Sequence, residues 1–118
     1  MQPIDANARR QEIRRGLGRI SRALPEPMRA FGDLHQAAMT DGALSRVDKE
    51  LIALAISVCG HCGDCIVVHV HDAIRAGATD AQLDEALAVA IAIGGGPATM
   101  YAAEARRAIE EFRAIAEQ

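Results

Sequence analysis

A single short stretch, Cys59-Gly60-His61-Cys62-Gly63-Asp64-Cys65-Ile66-Val67-Val68-His69-Val70-His71, holds all three cysteines of the chain and three of its four histidines. If a helix begins near Cys62, then Cys62, Cys65 and His69 stand at i, i+3 and i+7, and two thiols and an imidazole share one face. A Cys-x-x-Cys pair at a helix N-terminus can close a small disulfide. Unpaired backbone N–H groups and the helix dipole favour the thiolate there. His69, one turn after Cys65, can take or return a proton. Glu50 lies twelve residues before Cys62; a chain break at Gly60 would fold it back, where its carboxylate would orient and charge His69 as a third group orients a catalytic base.

Other chemistry is open to the same residues. Cys59, Cys62, Cys65 and either His69 or His71 are soft enough and numerous enough for zinc, although zinc sites usually draw ligands from two separated segments and these lie on one continuous strip. Buried structural thiols with a core histidine are the plainer reading. Glu50 fits it less easily: on an otherwise apolar helix face it either points to solvent or has a partner, because a buried carboxylate alone costs several kcal/mol. Cys59 reads as a small core residue at a helix end, and His61 and His71 as solvated or peripheral.

The elements that must position these groups are helical. Residues 5–22 suggest a first helix with Ile13, Leu17 and Ile20 as its apolar stripe and Arg9, Arg10, Arg14, Arg15, Arg19 and Arg22 around it. This Arg-rich segment, residues 1–24, reads as a solvated face with neither aromatic interleaving nor a recognition motif for nucleic acid. Pro25-Glu26-Pro27 breaks the pattern, and a second helix carries Met28, Phe31, Leu34, His35 and Ala38. Ser45-Arg46-Val47-Asp48 resembles a capping box and opens a helix that is apolar nearly all round at 47–58, so a central, buried position is expected.

After the glycines at 60 and 63, Asp64 to Ala76 resumes a helical pattern that Gly77 stops. Thr79-Asp80-Ala81-Gln82 is a further capping box, for a helix with Leu83, Leu87, Ala90 and Ile91 on one side. Gly94-Gly95-Gly96 ends that helix, without the preceding strand or following Lys-Ser/Thr of a phosphate loop. Pro97 sits in the first turn of a last helix with Tyr101, Ala105, Ala108, Phe112 and Ile115 along one stripe. The expectation is an all-α single compact domain of five to six helices over residues 1–118.

Bulk properties agree. A chain of 118 residues has room for one domain of about 100–150 residues. Its hydrophobic half contains only Phe31, Tyr101 and Phe112 as aromatics, so the core must be Ala, Leu, Ile and Val. Formal net charge is −3, yet the first thirty residues carry seven Arg against Asp5, Glu12 and Glu26, which leaves the rest more acidic than the whole. No signal-peptide apolar region or membrane-length apolar run is present, so a cytoplasmic protein without membrane or nucleic-acid partners is expected. Clustered, odd-numbered cysteines in that setting point to redox or metal chemistry.

Glu50, eleven residues, then Cys62-x-x-Cys65-x-x-x-His69 resembles the signature of the alkylhydroperoxidase D core within the carboxymuconolactone decarboxylase superfamily. The resemblance covers residues 45–101, including Lys49-Glu50-Leu51-Ile52-Ala53-Leu54-Ala55 and the helix ending at Gly94-Gly95. It implies an all-α fold assembled as a homo-oligomer, a trimer or hexamer, and peroxide reduction through a thiol cycle without a cofactor or metal. By position it makes Cys65 the thiol that attacks peroxide, Cys62 its disulfide partner, and Glu50 with His69 the proton relay. A small oxidised substrate and an external thiol or disulfide reductant are then the partners.

One departure is Asp64 directly before Cys65, where family members often carry His or an aromatic residue. An anion at that place opposes thiolate formation. Two alternatives accompany the oxidoreductase reading. Decarboxylation of a carboxymuconolactone-like acid occurs in the same superfamily but needs no dithiol, and a non-catalytic, zinc-holding oligomeric module would use the cysteines as ligands.

Overall fold

Local stop and start signals divide the chain into six helices, seen in a computed structural model that describes residues 5–116. They are α1 (Ala6–Ala23), α2 (Pro25–Met39), α3 (Arg46–Cys59), α4 (Gly63–Ala76), α5 (Asp80–Gly94) and α6 (Gly96–Ala116). No strand occurs among the described residues. The Asp5 side chain accepts from the Ala8 N–H at 2.9 Å, and Ser45 Oγ accepts from the Asp48 N–H at 3.1 Å. Thr79 and Gln82 form both halves of a capping box. Each such cap satisfies backbone donors that a helix start would otherwise leave open. Gly77, at φ 106°, closes α4 in the left-handed conformation that glycine adopts without steric cost.

The Pro25-Glu26-Pro27 segment is not a separate break. Only Leu24 lies between α1 and α2, and both prolines occupy the first turn of α2, where a missing N–H costs nothing and the fixed φ suits the helix.

Leu54 and Val58 of α3, Ile66, Val67 and Val70 of α4, Leu83 of α5 and Ile109 of α6 are fully buried. Each such side chain contributes about 1.5–3 kcal/mol by leaving water. Small residues fill the gaps: Ala98, Ala102, Ala105 and Ala108 form the inner row of α6, which lets α6 approach α4 and α5 closely. α3 packs between α4 and α5, and α1 lies against α4 and α6.

Two expectations about burial change. The helix at 47–58 is not covered on all sides, because Ile56 is 66% exposed and Ile52 46%; only the face bearing Glu50, Leu54, Ser57 and Val58 is buried. The proposed α1 stripe is likewise open at Leu17 and Ile20. Apolar periodicity marks a face that prefers to leave water, but it does not say whether the same chain supplies the cover. α2 buries none of its residues. No helix among the described residues is long and apolar enough to cross a membrane.

Candidate redox site at the start of α4

The turn between α3 and α4 starts with Gly60, whose N–H caps the end of α3 on the Ile56 carbonyl at 2.8 Å. His61 follows at φ 57°, a left-handed conformation in a residue that is not glycine. Such a conformation carries a backbone cost and persists where the surroundings hold it. Its imidazole lies flat on Tyr101 of α6, with ring centroids 4.7 Å apart and planes 3° from parallel. His61 is exposed, as expected, yet it has a defined partner.

Cys62 is the N-cap of α4 and Cys65 lies in its first turn. The two sulfurs are joined as a disulfide, with Cα atoms 5.2 Å apart. Cys62 Sγ also accepts from the Cys65 N–H at 3.2 Å. The backbone donor at the helix start therefore serves the first cysteine of the pair, and a donor of this kind favours a thiolate over a thiol.

Cys59 is free and partly buried. Its Sγ donates to the Ala90 carbonyl of α5 at 3.4 Å, and Gly94 presses against it so closely that a Cβ there would come within 3.2 Å of the sulfur. The third thiol is thus committed to the α3–α5 contact, in keeping with its reading as a core residue. It does not join Cys62 and Cys65 in a three-cysteine ligand set.

Antiparallel folding of α3 onto α4 carries Glu50 back to His69. Glu50 Oε2 lies 3.4 Å from His69 Nδ1, and Glu50 is only 1% exposed. This is the partner that burial of the carboxylate demands. With Nδ1 taken by a carboxylate, the imidazole's Nε2 is left for proton exchange. All four anticipated residues therefore fall on the facing helices α3 and α4: the disulfide at the head of α4 and the carboxylate–imidazole pair one turn further on.

Three neighbours were missed by sequence reasoning. Asp72 of α4 brings a second carboxylate to the pair: ligand atoms of Glu50, His69 and Asp72 lie within 4.8 Å of one another. Asp72 also pairs with His71 at 3.2 Å, and His71 meets Phe112 edge-on. His35 of α2 approaches His69 with ring centroids 6.3 Å apart. The i+3 spacing from His69 to Asp72 was visible in the sequence; the approach of α2 was not. The third neighbour is Arg9 of α1, whose guanidinium pairs with Asp64 at 2.8 Å and Glu104 at 3.1 Å. Asp64 is therefore not an uncompensated anion beside Cys65. Arg9's pKa is raised, chiefly by its hydrogen bond to Asp64, with Glu104 adding and burial opposing.

Comparison with known proteins bears on the family and the fold. A family model described as the carboxymuconolactone decarboxylase family matches residues 25–108. An uncharacterised protein of Cupriavidus necator is 45% identical over 101 residues, covering 86% of this chain and 89% of its own length. A carboxymuconolactone decarboxylase family protein from Legionella pneumophila, solved in its apo form, superimposes with a TM-score of 0.88 at 42% identity, over 91% of this chain and 96% of that one. A Thermotoga maritima family protein, with a suggested involvement in the antioxidative response, matches with a TM-score of 0.83 at 30% identity over 92% of each chain.

Proposed function

Because the chain belongs to the carboxymuconolactone decarboxylase family, we propose that its conjunction of a disulfide-forming Cys-x-x-Cys pair with a buried carboxylate–imidazole pair makes it a thiol-dependent peroxidase. The observation that carries this reading is the Cys62–Cys65 disulfide at the start of the helix that also bears the Glu50-paired His69. The antioxidative role suggested for the Thermotoga relative points the same way.

In the reduced protein the Cys65 thiolate attacks one peroxide oxygen, the O–O bond breaks, and the departing alkoxide takes a proton from His69 to leave as an alcohol. Cys65 is now a sulfenic acid. The Cys62 thiol, its thiolate supported by the backbone N–H at the helix start, gives its proton to His69 and attacks the Cys65 sulfur; the hydroxide that leaves takes that proton back as water, and the disulfide forms. One peroxide has been reduced by two electrons and two thiols oxidised by the same number. An external dithiol returns both electrons by exchange through a mixed disulfide. Glu50 keeps His69 oriented and supplies the counter-charge for its protonated form.

Lactone decarboxylation makes no use of the dithiol, and a three-cysteine zinc site is opposed by the commitment of Cys59 to Ala90. Turnover of peroxide with an added dithiol tests the proposal. Cys65→Ser should abolish it, Cys62→Ser should leave a sulfenate on Cys65 detectable by mass spectrometry, and Cys59→Ala should retain it. Equal activity in all three variants would end the thiol mechanism.

A further inference from the structure

Arg9 lies outside the residues matched by the family model, on a helix whose Arg14, Arg15, Arg19 and Arg22 line open surface. Unlike those, it reaches back to the start of α4. Nη2 donates to Asp64 at 2.8 Å and Nη1 to Glu104 at 3.1 Å. Gly63 leaves the space: a Cβ there would come 3.1 Å from Arg9 Nη2 and 3.4 Å from Glu104 Oε1. Three elements, α1, α4 and α6, thus meet over the peptide that separates the two cysteines.

Two carboxylates stand at this junction, Asp64 in the residue before Cys65 and Glu104 against Gly63. Both bring negative charge to the turn that carries the two cysteines, and negative charge nearby disfavours a thiolate, whereas a cation or a helix start favours it. Among the described residues, the cation paired with both carboxylates is Arg9.

We infer that Arg9 is a positioning residue for the reactive thiol: by neutralising Asp64 and holding Glu104, it lets Cys65 ionise at neutral pH despite the acidic residue beside it. The inference rests on the reading of Cys65 as the attacking thiol. The raised guanidinium pKa means that Arg9 keeps its charge well beyond any working pH. Its favourable pairing is fully present below the ordinary arginine value and is lost only as pH climbs through the still higher folded value, so the charge does not change where thiols titrate. Any pH dependence then belongs to Cys65 and to the titratable groups of the same turn and of α3 and α4, namely Cys62, His61, and His69 with Glu50.

The test is the pH profile of iodoacetamide alkylation at Cys65 in the fully reduced protein, resolved by mass spectrometry. Arg9→Gln is preferable to Arg9→Ala, since glutamine keeps part of the stem and a hydrogen-bonding end. Near pH 7 it should slow alkylation about two- to five-fold, the range an exposed ion pair supports, with the rates converging at high pH. Arg9→Lys, which retains the charge, should remain near wild type. In an Asp64→Asn background the loss caused by Arg9→Gln should shrink to less than half its size, the remainder coming from Glu104. Coincident profiles for wild type and Arg9→Gln, or an equal loss in both backgrounds, would overturn the inference. No peroxide is used, so a failed peroxidase assay with the expected alkylation shifts would count against the proposed function alone.

Discussion

His69 Nδ1 and Glu50 Oε2 lie 3.4 Å apart, joining α4 to α3 at a point where the carboxylate is closed off from solvent. An ordinary cysteine with a pKa of about 8.5 is only about 3% thiolate at pH 7, so attack on peroxide near neutrality requires Cys65 to be favoured as thiolate by its surroundings. A helix N-terminus supplies about 0.3–1 kcal/mol of that, and its hydrogen bond goes to Cys62 rather than Cys65. Most of the effect is left to His69 and the carboxylate that holds it.

Glu50→Gln should therefore slow alkylation of Cys65 near pH 7 more than near pH 9, where the thiolate of an unassisted cysteine forms unaided. His69→Ala should show the same pattern more severely. Overlapping pH profiles for wild type and both variants would mean that the pair only packs near the thiols.

The α5–α6 corner offers a structural check that is independent of the redox chemistry. A Cβ on Gly94 would stand 2.8 Å from Ala98 Cβ and 3.2 Å from Cys59 Sγ. Gly94→Ala should destabilise the fold by about 1–3 kcal/mol, the usual cost of forcing atoms into a filled space. A calorimetric or circular-dichroism melt measures this, and an unchanged melting temperature would show that the corner relaxes freely.

Much of this structure was legible in the residues because local signals agreed with one another. Ser45, Thr79 with Gln82, Gly77 and Gly94 marked helix ends that the structure retains, since each does its work through the backbone within a turn of itself. A break at Gly60 could fold Glu50 back toward His69, and the spacing shared with the alkylhydroperoxidase D core implied that pairing; the sequence alone left Glu50 free to point to solvent. Arg9 was read only as part of a solvated face. Its contact with Asp64 spans 55 positions, and no periodicity on α1 encodes which neighbour an arginine will meet. The exposure of Ile52 and Ile56 was hidden for a related reason, since an apolar face looks the same in sequence whether its own chain or another one covers it.

That open face leads to an expectation about assembly. Ile52 and Ile56 on α3 and Val89 and Ile93 on α5 are each spaced by four residues and exposed, so each pair lies along one side of its helix. Phe31 and Leu34 of α2 are similarly uncovered. Exposed apolar side chains in such number are what an interface would cover, and a homo-oligomer is expected. Light scattering should give a mass well above 12.5 kDa, and Ile56→Lys should shift it downward. A stable, folded monomer at low micromolar concentration would contradict this.

Cys62 and Cys65 should act as a dithiol that peroxide oxidises, with Cys59 standing apart. Thiol titration of the fully reduced protein before and after a single equivalent of peroxide tests it most directly. The expected result is the loss of two thiols, mapped to Cys62 and Cys65 as one disulfide, while Cys59 stays titratable under denaturing conditions. Loss of all three thiols, or of none, would contradict it.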